Sequence, residues 1–202
     1  MSDITLDGNS LTLDHILRAS TDDVAVLLHP EAIPRMQASR DLVTTWVREK
    51  RVMYGVTTGF GEFANVSIDT ADLEQLQRNL IVSHAVGCGD PIPRHITRLL
   101  MMLRANALAK GYSGVRVETV ELLLAMLNAG IIPVLPSQGS VGSSGDLVQL
   151  AHLVLGMMGE GRCWNADGTG SMQAGEALRA AGLSPVVLQA KEGLALINGT
   201  QM

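Results

Sequence analysis

Residues 137–150 read "SQGSVGSSGDLVQL": four serines, three glycines and one aspartate, followed by an apolar, periodic run. Two readings of its centre, Ser143-Ser144-Gly145, compete. The commoner one is a loop closed by a helix cap, with a serine or Asp146 ahead of an amphipathic helix over 146–158. The other is chemistry on the backbone itself. The Gly145 amide nitrogen attacks the Ser143 carbonyl carbon, one water leaves, and Ser144 loses its hydroxyl as a second water. The product is a five-membered ring with an exocyclic methylidene, a strong electrophile. Glycine suits the third position because it lacks a Cβ and lets the nitrogen approach. Serine suits the second because its hydroxyl must be eliminated. The helix that follows aims its positive end at the site.

Working outward, the pattern is mostly helical. Leu147, Leu150, Ala151, Val154, Leu155 and Met158 fall on one helical face. Upstream, 94–110 and 115–129 predict two helices separated by "GYSG", with Gly130 capping the second. "DTADLEQLQRNLIVSHAVG" (69–87) opens with an Asp-Thr cap and aligns Leu73, Leu76, Leu80 and His84. Residues 31–50 predict an amphipathic helix, and so does the run from Thr12 to Leu28, which Pro30 ends. "ITLDGNSLTLDHIL" (4–17) reads as a small hairpin or strand pair around Asp7-Gly8-Asn9. Residues 159–183 are glycine-rich and read as a surface excursion with a short helix. The fold class expected is mainly α, with minor β near the N-terminus.

Bulk composition narrows the function. Hydrophobic residues make up 47% of the 202, enough for a sizeable core. Aromatics at 3% and a net charge of −5 argue against a nucleic-acid surface. The two cysteines, Cys88 and Cys163, have no metal-ligand spacing and suggest no disulfide framework. The polar start "MSDITLDGNS" is no signal peptide, and the longest apolar run, "NAGIIPVLP", is too short for a membrane span. These features predict a reduced, cytoplasmic protein without membrane or nucleic-acid partners.

Three further stretches hold candidate chemistry. "YGVTTGFG" (54–61) is a glycine-rich loop that lacks the lysine of a phosphate loop. Tyr54 is either a half-buried core filler or a general base on that loop; a tyrosine base works near neutral pH only in a positive local field. His84 in "NLIVSHAVG" is either a satisfied core histidine or a contact for a polar substrate ring. It has no second histidine at helical spacing, so a metal pair is not expected. His15, His29, His95 and His152 read as structural or solvent-exposed. "LALINGTQM" (194–202) ends an element in an Asn-Gly turn; its sequon match is a chance one for a chain without a secretory signal.

Together, "YGVTTGFG", "LQRNLIVSHAVG", "GSVGSSGDL" and "ALINGTQ" resemble, in order and spacing, the aromatic amino-acid ammonia-lyase family, and within it the histidine-specific branch. The resemblance covers essentially the whole chain. It implies the multihelical N-terminal part of the aspartase/fumarase-like ammonia-lyase fold, with residues 1–202 as one domain bearing the cyclised tripeptide. It implies the prosthetic group 4-methylidene-imidazol-5-one (MIO), formed autocatalytically from Ser143, Ser144 and Gly145, and no metal. Tyr54 matches the family's catalytic base or proton shuttle, and Asn198 the asparagine that contacts prosthetic group or substrate. Ser83-His84 matches the selectivity pair of the histidine-specific members, where tyrosine- and phenylalanine-specific relatives tend to carry His-Leu or Phe-Leu. The implied reaction converts L-histidine to urocanate and ammonia. The alternatives are a tyrosine or phenylalanine ammonia-lyase, an MIO aminomutase, or a non-catalytic helical assembly domain.

Three departures from the family pattern matter. Position 143 is serine where alanine is usual, outside the ring-forming side chains. Gln149 stands where proline is common, which predicts a different exit of the helix from the loop. Full-length relatives continue past the Asn198 motif with helices that build a homotetramer and complete the site. The expectation is therefore that this chain alone is inactive and holds the tripeptide uncyclised. Apolar faces left uncovered on the helices at 97–110 and 146–158 would then drive self-association.

Overall fold

A computed structural model describes residues 3–21, 23–58, 72–141, 145–165 and 167–202. Two long helices make its centre: α4 (Arg94–Ala109) and α5 (Val117–Asn128), an αα-hairpin turned by the glycine-bearing "KGYSGVR". Leu100, Met101, Ala105 and Leu108 of α4 meet Val120, Leu123 and Leu127 of α5 in one core, joined by α6 (Leu147–Met157). Each large side chain buried there contributes roughly 1.5–3 kcal/mol. Around this core lie α2 (Ala32–Arg48), α3 (Leu73–His84), α7 (Ala174–Ala180) and α8 (Glu192–Ile197). Pro34 is accommodated in the first turn of α2, where its missing N–H has no helical partner to lose. The mainly helical expectation holds, and strands are minor.

The N-terminal region differs from its sequence reading. β1 (Ile4–Leu6) pairs in parallel with β2 (Val26–Leu28), in the register Ile4–Val26 and Leu6–Leu28, rather than folding into a local hairpin. α1 (Leu13–Ala19) supplies the crossover that a parallel pair needs. The helix expected over 12–28 therefore stops at Ala19. Ser20 Oγ donates to Leu17 O at 2.6 Å and Thr21 Oγ1 to Arg18 O at 3.2 Å, side-chain bonds that compete with continuation of the helix. Arg98 then ties the pieces together. It is 1% exposed and donates to Ala19 O (2.8 Å), Val24 O (3.1 Å) and Leu127 O (2.6 Å).

The remaining strands belong to two antiparallel pairs. β3 (Cys88–Pro91) joins β4 (Pro136–Gln138), and β5 (Arg162–Trp164) joins β6 (Ser171–Gln173). The glycine-rich 159–183 stretch is thus a hairpin plus α7, which agrees with the short helix expected there. Trp164 N–H donates to Ile132 O at 2.8 Å, and Cys163 is fully buried, its thiol pushed up to about 12 by that burial. The uncovered apolar faces expected on 97–110 and 146–158 are not found. Most of α4 and α6 is buried, because α3, α5 and α8 cover α6 while α1, α2 and α5 cover α4. The large apolar side chains that do face solvent are scattered, with Leu13, Val86, Tyr112 and Val141 among them.

Candidate active site

Gly145 opens α6 from a left-handed backbone, φ +104°, and is buried. A Cβ there would lie 2.2 Å from Gly199 O, so backbone conformation and space both require glycine. Asp146 N–H donates to the same Gly199 O at 2.7 Å, and Ser140 Oγ donates to Gly145 O at 3.2 Å. Ser143 and Ser144 lie outside the described residues. The third position of the tripeptide fits MIO formation, because the cradle admits hydrogen where any other residue carries carbon. Asp146 occupies the N-cap position but makes no side-chain cap bond; its Oδ2 accepts from Met202 N at 2.8 Å. α6 begins at Leu147 with Gln149 in its first turn.

α8 delivers Asn198 and Gly199 to this point. Its start is unusual: Lys191 has φ +71°, and Lys191 Nζ donates to Ser113 O at 3.0 Å. Next to it, Glu192 is fully buried. It accepts from Arg116 Nη2 (2.7 Å), Arg116 N (3.0 Å), Thr119 Oγ1 (2.8 Å) and Gln189 N (2.9 Å). Burial alone would raise its carboxyl pKa, but hydrogen bonds from Arg116 and Gln189 outweigh it and the net shift is downward. Gly193 N–H donates to Gln77 Oε1 on α3 at 2.9 Å, which docks α8 along α3. At the far end Asn198 is exposed and terminates the helix.

His84 is the last residue of α3, which packs against both α6 and α8. Its Nδ1 lies 2.8 Å from Leu80 O and 3.1 Å from Ser83 Oγ. A carbonyl only accepts, so Nδ1 donates in this contact; in the neutral ring Nε2 is then the nitrogen with the free lone pair. The connector after His84 is tied to α6, where His152 Nε2 accepts from Gly87 N–H at 3.1 Å. That bond needs neutral imidazole, and burial lowers the His152 pKa accordingly. Tyr54 is 60% exposed, in a turn where Met53 N–H donates to Thr57 Oγ1 at 3.0 Å. The turn packs through Val56 with Val43, Leu73 and Ala190. Leu73 and His84 are opposite ends of a twelve-residue helix, about 16 Å apart at the usual rise. The described contacts thus bring Gly145 and the Asn198–Gly199 turn together. They set His84 at the end of a helix packed on both supporting helices, and they anchor the Tyr54 turn at that helix's other end.

His152, read from sequence as structural or solvent-exposed, is structural: it braces the connector after His84. One residue at this site escaped the sequence reading. Arg104 of α4 is 4% exposed, and its guanidinium donates to Ala195 O and, at 3.1 Å, to Gln201 Oε1. Its signal was visible: Leu100, Arg104 and Leu108 stand four apart, a cation in the middle of an apolar helical stripe.

A family model described as aromatic amino acid lyase matches residues 11–202. The histidine ammonia-lyase of Alkaliphilus metalliredigens is 51% identical over 203 aligned residues, which cover 100% of this chain and 39% of the relative. The crystal structure of histidine ammonia-lyase from Trypanosoma cruzi superposes with a TM-score of 0.91 at 41% identity, covering 98% of this chain and 38% of that one. Tyrosine aminomutase from Streptomyces globisporus superposes with a TM-score of 0.91 at 35% identity, covering 98% and 37%. The chain thus spans about two fifths of the length of the relatives it matches.

Proposed function

The chain belongs to the aromatic amino acid lyase family, and on that premise we propose that it carries the electrophile-bearing part of a histidine ammonia-lyase, which converts L-histidine to urocanate and ammonia. The observation that carries the reading is Gly145, held at φ +104° against Gly199 O with no space for a Cβ. Ser143, Ser144 and Gly145 would form the MIO group, which supplies an electrophile that activates the substrate's amino group to leave. The chain's own residues bind, orient and move protons. The Asn198 side chain orients the substrate beside Gly145. His84 donates from Nδ1 to Leu80 O, which turns Nε2 to the substrate side as the ring atom that would accept from the substrate imidazole N–H in the neutral tautomer. Tyr54, whose turn is anchored at the far end of α3 from His84, would take the β-proton at its phenol oxygen once the assembled protein brings that loop to the substrate. Similarity to histidine ammonia-lyases and the Ser83-His84 pair support histidine as substrate.

The same reading places the reaction in the cytoplasm, within a homotetramer. There, segments belonging to the rest of the relatives' length complete the site, and residues 1–202 alone do not turn over. The test is the full-length gene product with L-histidine, followed by urocanate absorbance, together with intact mass. Urocanate formation by a protein lighter than its sequence by two waters is expected, and Ser144→Ala should abolish both. Cinnamate or coumarate from the corresponding amino acids would instead favour the other lyases. A β-amino acid product would favour the aminomutase reading, to which the likeness to tyrosine aminomutase points.

A further inference from the structure

α6 serves both ends of the proposed substrate. Gly145 lies just ahead of its first residue, Leu147, and His152 lies about 8 Å further along the axis at the usual rise. His152 Nε2 accepts from Gly87 N–H at 3.1 Å. A backbone N–H only donates, so the direction of this bond is fixed. Gly87 stands in the connector directly after His84, and 65 positions of chain separate it from His152.

Packing closes on the same point from other sides. A Cβ on Gly87 would lie 2.2 Å from Pro136 Cγ, 2.8 Å from Val148 Cγ1 and 3.0 Å from Gln138 O, so the connector runs directly over the first turn of α6. Gly139, at φ +137°, fills in behind it: a Cβ there would lie 2.7 Å from Val148 Cγ1 and 3.1 Å from Gly87 Cα. Upstream, Val86 N–H donates to His84 O at 2.9 Å, a three-residue turn that leaves little slack between His84 and Gly87. The His84 ring is itself held at 2.8 Å from Leu80 O. Ring and backbone are therefore both fixed, and the backbone is fixed to α6.

We infer that His152 is a positioning residue for His84: by holding Gly87 on α6 it sets where the group that would read a substrate's imidazole stands relative to Gly145. The inference rests on the reading of His84 as a substrate contact given above. Leu80 and Ile81 of α3 share the common core with Leu150 and Val154 of α6, and apolar packing of this kind is not directional. The Gly87–His152 bond adds direction at the end of α3 where His84 stands. Hydrogen bonds weaken steeply once their geometry is lost, so a small displacement of His84 is enough to lose the imidazole contact. Leucine at 152 keeps apolar volume but leaves Gly87 N–H without its acceptor, whereas glutamine can bring Oε1 close to where Nε2 stands.

The experiment is equilibrium binding of urocanate to the full-length gene product by titration calorimetry, with cinnamate alongside. Both ligands carry the carboxylate, and only urocanate carries an imidazole N–H. His152→Leu is expected to weaken urocanate by about tenfold and cinnamate far less, and His152→Gln is expected to recover most of the loss. In a His84→Ala background, His152→Leu should cost urocanate nothing further, because the two residues act as one unit. A general structural role would weaken both ligands equally and would persist without His84; either result overturns the inference, as does unchanged urocanate binding in His152→Leu. Should that variant not fold, His152→Asn decides, since its shorter amide does not reach Gly87 N–H: the same selective loss supports the brace, and wild-type affinity removes it. A His84→Ala protein that binds urocanate as tightly as the wild type overturns the reading of His84 itself, which separates the two failures.

Discussion

An arginine from the central hairpin grips each end of α8, and among the described residues only one of the two meets a counter-charge. At the N-terminal end Arg116 meets Glu192, and the carboxylate also accepts from Thr119 and Gln189. At the C-terminal end Arg104 meets neutral acceptors and keeps a spare Nε–H. The first arrangement is saturated and holds the helix. The second ties α8 to α4 through a carbonyl and an amide, the only acceptors Arg104 has among the described residues. The difference separates a charge-paired anchor from one made on neutral acceptors.

The largest expected effect tests the anchor. Glu192→Gln leaves the Arg116 guanidinium without its counter-charge and should lower stability by about 3–5 kcal/mol in urea denaturation. A loss under about 1 kcal/mol would mean that the pair behaves like a surface ion pair and that the contrast between the ends is empty. Next comes Gly145→Ala, against the C-terminal end of α8. The new methyl meets backbone, Gly199 O, and the residue must hold φ +104°, so about 1–3 kcal/mol should be lost. Intact mass should show no loss of water in that variant.

A smaller effect follows from pH. The His152 pKa is lowered in the folded state by burial, so between its folded and ordinary values the unfolded chain binds the proton more readily. Stability is full above about 6.5 and falls as pH drops from there toward the folded value. Glu192 adds a second stage of the same sign at lower pH. Its carboxyl is lowered, so its contribution is present above the ordinary carboxylate range and is lost as pH falls through the folded value. Melting temperature against pH should show both stages. His152→Gln, which keeps an acceptor for Gly87 N–H, should remove the upper one alone. The smallest effect is Gln149→Pro. The first intrahelical bond of α6 is Leu150 N–H to Asp146 O, so residue 149 has no such bond to lose, and its Oε1 is buried without a partner. The proline should raise stability by about 0.5–1 kcal/mol, measured as a higher melting temperature.

Much of the helical frame was legible in sequence, because α2, α4, α5 and α6 carry a strong 3.6-residue period between glycine and proline breaks. The misread segment, 12–28, has that period too. What overrode it was tertiary: β2 finds its partner in β1, and its Val26 backbone exchanges hydrogen bonds with the Asn128 side chain at 2.9 Å in both directions. Neither partner is near in sequence. The same holds for the apolar faces expected to be bare on α4 and α6, which helices from distant parts of the chain cover.

At the site, the sequence by itself determined the chemical inventory. A Ser-Ser-Gly tripeptide, an Asn-Gly turn, a Ser-His pair and a loop tyrosine are residue types at spacings, and family membership follows from them, with the chemistry proposed above resting on it. Tertiary structure alone decided which of these meet. Gly199 presses on Gly145 because α8 docks along α3 and α6, and Arg104 of α4 packs against Gly199 and bonds Ala195 O and Gln201 Oε1. These are contacts across 54 and 95 residues of chain. No local pattern encodes them, since the burial that brings Arg104 against Gly199 is a property of the packed core and not of the residues beside it.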